Sequence, residues 1–269
     1  MYFFTMLLAV NFGFSVKKRY SISKTSFYRH PMNSAILYTF RRCPYAMRAR
    51  ISLHLSQLNP LVREIELKNK PAELIAISAK GTVPVLVTAN NKVISESLDI
   101  MRFALTEYPA PENHYLTTEE YQALQYWLDQ STTESLINAN DNEFKPWLDK
   151  YKYADRFPEY SKLWYRQQAE RFIQTLEDLL QQHNYLCTDS PTLADFAIFP
   201  FIRQFANVEP VWFNTMPYPN VIVWLTTLVN SSLFNVTMYK YPLWLPQKNM
   251  IQLKHSEHDD GQVIPLCKN

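Results

Sequence analysis

The sequence predicts an α/β unit at the front of the chain and an all-helical bundle behind it. Between residues 34 and 108, short apolar runs alternate with helix-length segments. From residue 117 to about 245, apolar residues recur almost everywhere at helical spacing. Pro109 and Pro111, with the polar residues around them, form the linker between the two. Residues 246–269 turn polar and are expected to be a loosely packed tail. Residues 1–31 are expected to be a poorly ordered extension.

Ala35–Phe40 (AILYTF) reads as a buried strand. Cys43 then precedes Pro44, the residue type favoured at the first helical position because the missing N–H has no intrahelical partner there. Met47, Ile51, Leu55 and Leu58 follow on one apolar face, and Pro60 closes the unit. Leu61–Leu67 reads as a second strand and Pro71–Ile77 as a short helix. Val83–Val87 and Lys92–Ile94 flank Asn90-Asn91, a pair tolerant of left-handed angles, and so predict a hairpin. Ser95 is placed to cap a helix from Glu96 to about Glu107.

Behind the linker, Thr117 with Glu120 fits a capping box. Ala169, Phe172, Ile173, Leu176, Leu179 and Leu180 mark a long amphipathic helix. Thr192 with Asp195 fits the acidic variant of the same box, so both are expected to act as a structural cap. The helix they open is apolar nearly all round, which places it centrally, and Pro200 inside it predicts a kink. Pro219–Phe234 predicts one further helix.

Composition removes several function classes. Three glycines in 269 residues cannot build a Walker loop or a GxGxxG turn, so no nucleotide site is expected. The net charge is +2, but residues 1–31 hold five Lys/Arg and no Asp/Glu. The remainder carries 22 basic against 25 acidic residues, which gives no electrostatic case for nucleic acid. Cys43, Cys187 and Cys267 are odd in number and far apart, which excludes a disulfide framework and suits a reducing, cytoplasmic compartment. His255 and His258 with Asp259 and Asp260 lack a fourth ordered ligand in a polar tail, so no metal is expected. Met1–Val16 is too short and too interrupted for stable membrane insertion, and it lacks the basic start and cleavage site of a secretory signal. Residues 1–31 are translated sequence upstream of a start at Met32, a targeting segment, or an ordered part of the fold.

Cys43 is the sharpest chemical candidate. A helix start offers unpaired N–H groups and the positive dipole end, which stabilise a thiolate, and Arg41, Arg42 and Arg48 add positive potential. The plainer reading is a small residue filling a strand–helix junction. Cys187, in a loop without basic neighbours, reads as structural, and His54 as structural or exposed rather than a base. Tyr121, Tyr126, Trp127, Trp164 and Tyr165 are either core residues or the lining of an aromatic acceptor site.

Five stretches carry a resemblance: Arg42-Cys43-Pro44-Tyr45-Ala46, Leu67-Lys68-Asn69-Lys70-Pro71, Gly81-Thr82-Val83-Pro84-Val85-Leu86, Ser95-Glu96-Ser97 and the Thr192–Asp195 box. In this order they resemble the cytosolic glutathione transferases, with the strongest similarity to cysteine-type, omega-like members and to two-domain glutaredoxins. The resemblance covers about residues 34–245. It implies a thioredoxin-like first domain, glutathione as co-substrate, a small-molecule or protein-thiol acceptor, and a homodimer, although two-domain glutaredoxins can be monomeric. It also implies that Cys43 is the catalytic thiol and that a cis Pro84 opens the Val83 backbone to the tripeptide. Glu96 and Ser97 would hold the γ-glutamyl end and Lys70 the glycyl carboxylate. Ala46 departs from the dithiol pattern, because no resolving cysteine follows Cys43 by three residues. That favours monothiol transfer, deglutathionylation or dehydroascorbate-type reduction. The alternatives are conjugation to electrophiles, for which Tyr38 and Ser34 are poorly placed, and a non-catalytic binding module.

Overall fold

The computed structural model describes residues 34–245, 247–255 and 263–264. The 1–31 extension, Cys267, His258, Asp259 and Asp260 lie outside the described residues.

Strand β1 (Ile36–Thr39), helix α1 (Pro44–Leu55) and strand β2 (Leu61–Glu64) form a parallel β-α-β unit, in which Ile36 pairs with Leu61 and Thr39 with Glu64. After α2 (Ala72–Ile77), β3 (Val85–Val87) runs antiparallel to β1 and turns through Asn91, at φ 64°, into β4 (Val93–Ile94). Helix α3 (Ser97–Glu107) then packs beside α1. This is a thioredoxin-like arrangement, and Leu37, Ala49, Leu53, Leu86, Ile100 and Ala104 form its core.

Two local expectations change. The second strand stops at Glu64, because Glu66 turns back to bridge Asn69. Ser95 caps nothing: Glu96 holds the extended cap position, and α3 starts one residue later than predicted, without a side-chain cap bond.

Helix α1 is buried on every side, not along one apolar face. Arg48, Arg50, Ser52 and His54 are all fully buried, because α1 lies between the sheet with α3 and the helices of the second unit. Buried arginines are tolerable only with partners. Arg50 donates to Thr39 Oγ1 (3.1 Å), to Thr237 O (3.1 Å) and to Glu64 Oε2 (2.5 Å), so it ties α1 and both central strands to the far end of the chain.

The second unit is helical throughout. Helices α4 (Thr118–Tyr126) and α5 (Ser131–Ala139) lead through a π-helical turn (Asn140–Phe144) into α6 (Lys145–Lys152). Thr117 and Glu120 close the box at α4: Glu120 N donates to Thr117 Oγ1 at 3.2 Å and Thr117 N to Glu120 Oε2 at 2.8 Å. Helices α7 (Lys162–Leu180) and α8 (Leu193–Ala206) follow, with Pro200 inside α8. The chain continues through α9 (Pro210–Phe213), α10 (Pro219–Val229) and α11 (Ser232–Thr237). The single helix predicted for 219–234 is therefore two. Asn230 ends the first, and the Ser231 hydroxyl caps the second by accepting from Phe234 N at 3.1 Å. The shared core runs from Met47 and Ile51 of α1 into Phe199, Phe201 and Phe205 of α8.

The expected loose tail is corrected over its described residues. Strand β5 (Met250–Gln252) pairs antiparallel with β2, and β6 (Val263–Ile264) pairs with β5, giving the order β4-β3-β1-β2-β5-β6. An open β2 edge would present unpaired backbone groups, which the returning chain satisfies. Trp244 N donates to Glu64 O at 2.8 Å and Leu253 N to Pro60 O at 2.9 Å, and Leu253 is buried.

Candidate functional site

Loops at the ends of three elements of the first unit open on one cavity of about 630 Å³. The turn after β1 brings Cys43, the segment entering β3 brings Val83 and Pro84, and the start of α3 brings Glu96 and Ser97. Lys70, just before α2, completes the group, so all six residues singled out in the sequence line the same space. The Val83-Pro84 bond is cis. Gly81 adopts φ 56°, where a Cβ would come within 2.7 Å of Ile75 Cδ1 and 3.5 Å of Lys70 Nζ. The left-handed backbone angle, together with the close approach of Ile75, is what favours glycine there.

Cys43 occupies the N-cap position of α1, with φ −81° and ψ 122°, and its thiol donates to Val83 O at 3.7 Å. Burial pushes the thiol above its ordinary pKa. The backbone N–H groups of Ala46 and Tyr45 pull it down, as do Lys145 and Arg48, but burial outweighs them. The lowered value expected from the helix start is thus reversed in net direction. Of the expected arginines, Arg41 directs its backbone N–H to Glu64 Oε1 at 2.6 Å, and Arg48 is engaged in an ion pair.

Glu96 is exposed and pairs with Lys80 (Nζ–Oε1 2.7 Å) at the cavity rim. Ser97 is buried, and its hydroxyl lies 3.5 Å from Arg48 Nη1. The arrangement therefore offers a thiol, an extended backbone segment, a carboxylate and a hydroxyl at a helix start, and an ammonium. Those groups complement a short peptide with charged ends.

Two family models match the chain: "Glutathione S-transferase, N-terminal domain" over residues 37–112 and "Glutathione S-transferase, C-terminal domain" over residues 121–227. The chain belongs to the glutathione S-transferase family. It is 24% identical over 180 residues to glutathione S-transferase omega-1 of Mus musculus, covering 66% of this chain and 70% of the mouse protein. It is 28% identical over 169 residues to the probable glutathione transferase omega-2 of Caenorhabditis elegans, covering 62% of this chain and 63% of the nematode protein. A solved glutathione transferase from Phanerochaete chrysosporium, in complex with oxidized glutathione, shares the fold at TM-score 0.61 and 18% identity, covering 76% of this chain and 94% of that one.

In this glutathione S-transferase family chain, the cavity has a second wall that the sequence did not reveal. Asp141 and Asn142 of the π-helical turn line it opposite the first unit, and from the first unit's own side so does Tyr45 of α1, whose hydroxyl burial pushes up to about 12. The polar run Asn140-Asp141-Asn142 was the available signal, but it carries no periodicity. None of the five aromatic candidates lines the cavity. Tyr121 and Tyr165 are core residues, with Tyr121 Oη accepting from Ala110 N at 2.8 Å. Trp164 stacks on Tyr160 at 4.0 Å, and Trp127 packs edge-on against Tyr126. Tyr38 is buried in the sheet with its hydroxyl bonded to Arg63, and neither it nor Ser34 reaches the cavity.

Thr192 and Asp195 sit elsewhere, at the start of α8. Asp195 accepts from Thr192 N (2.8 Å), Thr192 Oγ1 (2.7 Å), Leu186 N (2.9 Å) and Trp224 Nε1 (2.9 Å). Cys187 lies 4.0 Å from Thr133 Oγ1, and burial raises its pKa. Among the described residues no group of three or more His, Cys, Asp or Glu is placed to hold a metal ion. None of the described helices is long and apolar enough to cross a membrane.

Proposed function

We propose that this chain is a glutathione-dependent monothiol transferase that works through Cys43. The observation that carries the reading is the convergence of Cys43 with Lys70, Val83, Glu96 and Ser97 on one cavity, with Ala46 in place of a resolving cysteine. The Val83 backbone pairs with the tripeptide, Glu96 takes its α-ammonium, Ser97 and the start of α3 take its α-carboxylate, and Lys70 takes the glycyl carboxylate. Cys43 thiolate attacks the glutathionyl sulfur of a mixed disulfide. A Cys43–glutathione disulfide forms, the original S–S bond breaks, and the released thiolate takes a proton from water. With no second cysteine in reach along α1, a second glutathione thiolate attacks the glutathionyl sulfur, giving oxidized glutathione and restoring Cys43. Glutathione acts as co-substrate, without metal or nucleotide. The working form is a cytoplasmic homodimer.

Conjugation to electrophiles is the second reading, since the cavity would hold a glutathione thiolate equally well. The test is steady-state kinetics with a glutathionylated peptide at varied glutathione, for wild type, Cys43→Ser and Glu96→Ala. Cys43→Ser is expected to lose turnover while keeping most glutathione affinity, because serine cannot form the mixed disulfide. Glu96→Ala is expected to raise KM instead. A Cys43→Ser enzyme that retained more than a few per cent of the rate would refute the thiol mechanism, and chlorodinitrobenzene turnover would then favour conjugation.

A further inference from the structure

A second cavity, of about 450 Å³, adjoins the residues around Cys43 and is not used by the glutathione contacts described above. One wall comes from the start of α1. Arg42 immediately precedes Cys43, and Met47 is one turn on, its N–H bonded to Cys43 O at 3.0 Å. The opposite wall comes from the second unit: Lys152 at the end of α6, Lys162 at the start of α7, and Arg203 with Gln204 on α8. Among the described residues four cations line this space, and no carboxylate does.

Among the described residues, one of the four is paired with a carboxylate. Lys162 Nζ lies 3.2 Å from Glu209 Oε1. Arg42, Lys152 and Arg203 face aromatic rings, those of Phe40, Tyr153 and Phe234, and make no ion pair among the described residues. Arg203 is partly buried in this position, and burial together with Arg41 pulls its pKa down. Positive charge held together without counter-charge is an arrangement that an incoming anion relieves.

We propose that this cavity receives the acceptor end of the reaction and selects acceptors bearing a carboxylate or comparable anionic group. The inference rests on the thiol-transfer reading and deepens it. When Cys43 attacks the glutathionyl sulfur, the Cys43–glutathione bond forms and the bond to the acceptor sulfur breaks. The departing thiolate, with its attached anion, lies against Arg42 and Arg203 until it takes a proton from water.

Three unreactive thioethers test this on the full chain by calorimetry: S-carboxyethyl, S-hydroxyethyl and S-aminoethyl glutathione. The carboxyethyl compound is expected to bind about tenfold more tightly than the aminoethyl one at low salt, with hydroxyethyl between them. In the Arg42→Gln/Arg203→Gln double variant that ratio is expected to fall to about threefold or less. Lys152→Gln, on an exposed residue, is expected to narrow the ratio in a protein that keeps its packing. Equal affinities in the wild type, or an undiminished ratio in both variants, would overturn the inference and leave the glutathione site standing. Binding of none of the three would overturn the glutathione reading with it.

Discussion

Arg48 of α1 and Asp141 of the π-helical turn form a two-pronged ion pair, with Nη1–Oδ2 at 2.8 Å and Nη2–Oδ1 at 2.6 Å. The same guanidinium donates through Nε to Ala197 O of α8 at 2.6 Å and approaches Ser97 Oγ of α3 at 3.5 Å. One fully buried side chain thereby joins both units at the back of the Cys43 cavity. The planar fork suits this task, because a lysine ammonium cannot reach a carbonyl on one side and two carboxylate oxygens on the other.

The first prediction concerns that pair. Asp141→Asn leaves a buried guanidinium without its counter-charge, and Arg48→Lys loses the Ala197 bond as well as one prong. Each is expected to lower the unfolding free energy by about 2–4 kcal/mol, toward the low side of the range for a broken buried pair because Asp141 is partly exposed. Both should also raise KM for glutathione, since Arg48→Lys removes the guanidinium beside Ser97 and Asp141→Asn frees that guanidinium from the partner that holds it there. Urea unfolding together with glutathione titration checks this, and unchanged midpoints would show that the pair contributes nothing to stability.

Asp195 carries more than the helix cap read from its spacing. A cap alone is worth about 0.5–2 kcal/mol. Here a fully buried carboxylate satisfies Leu186 N and Trp224 Nε1 besides Thr192. Asp195→Ala strands those donors in the core, so a loss of about 3–5 kcal/mol is expected. Thermal unfolding measures it. The variant, if folded, should still bind glutathione, because α8 presents no residue to the Cys43 cavity.

What was legible in the sequence follows from what each signal depends on. The β-α-β-α-β-β-α order, the Asn90-Asn91 turn and the cavity residues around Cys43 and Val83 rest on local pattern and short motifs, and they were readable. The burial of Arg48 and Arg50 was not, because their partners Asp141, Ala197 and Thr237 lie 93, 149 and 187 residues away. The sheet-extending strand Met250–Gln252 was hidden for a similar reason. Three residues carry little periodicity, and their pairing is decided by the open edge of β2. The π-helical turn fell in a polar run, where hydrophobic spacing says nothing. The cationic cavity draws one cation from beside Cys43 and the other three from three later helices, so no window of sequence contains it.

His54 predicts an acid-sensitive fold. It is fully buried in α1 beside the rings of Tyr115 and His255, and neither of its ring nitrogens has a hydrogen-bond partner among the described residues. Burial, with His255 and Arg50 nearby, holds its pKa well below the usual value. The unfolded chain, titrating near about 6.5, therefore takes up the proton first. Stability is fully present above that pH and falls as pH drops below it, by up to about 1.4 kcal/mol per pH unit from this group. His54→Phe should flatten that slope by about one proton. Identical slopes for the two proteins in denaturant titrations on the acid side would show that His54 stays neutral in both states.

The last prediction uses the same logic at the Cys43 thiol, with the opposite sign. Burial raises Cys43 above the ordinary thiol value despite the N–H groups of Ala46 and Tyr45 and the charges of Lys145 and Arg48. Alkylation proceeds through the thiolate, so the rate of Cys43 modification by iodoacetamide should still be climbing with pH at about 8.5, where a free cysteine is half ionised. Cys187 is also raised by burial and should be modified on the alkaline side too, so the two are separated by peptide mass spectrometry. Cys43 is partly accessible in its cavity, which keeps the measurement from being limited by unfolding. Lys145→Gln removes the first of the two charges that pull the thiol down, and it should shift the Cys43 profile further alkaline while leaving that of Cys187 in place. A Cys43 midpoint at or below neutrality would mean that the helix start and its cations outweigh burial, and the thiol would then be poised to react before any substrate enters.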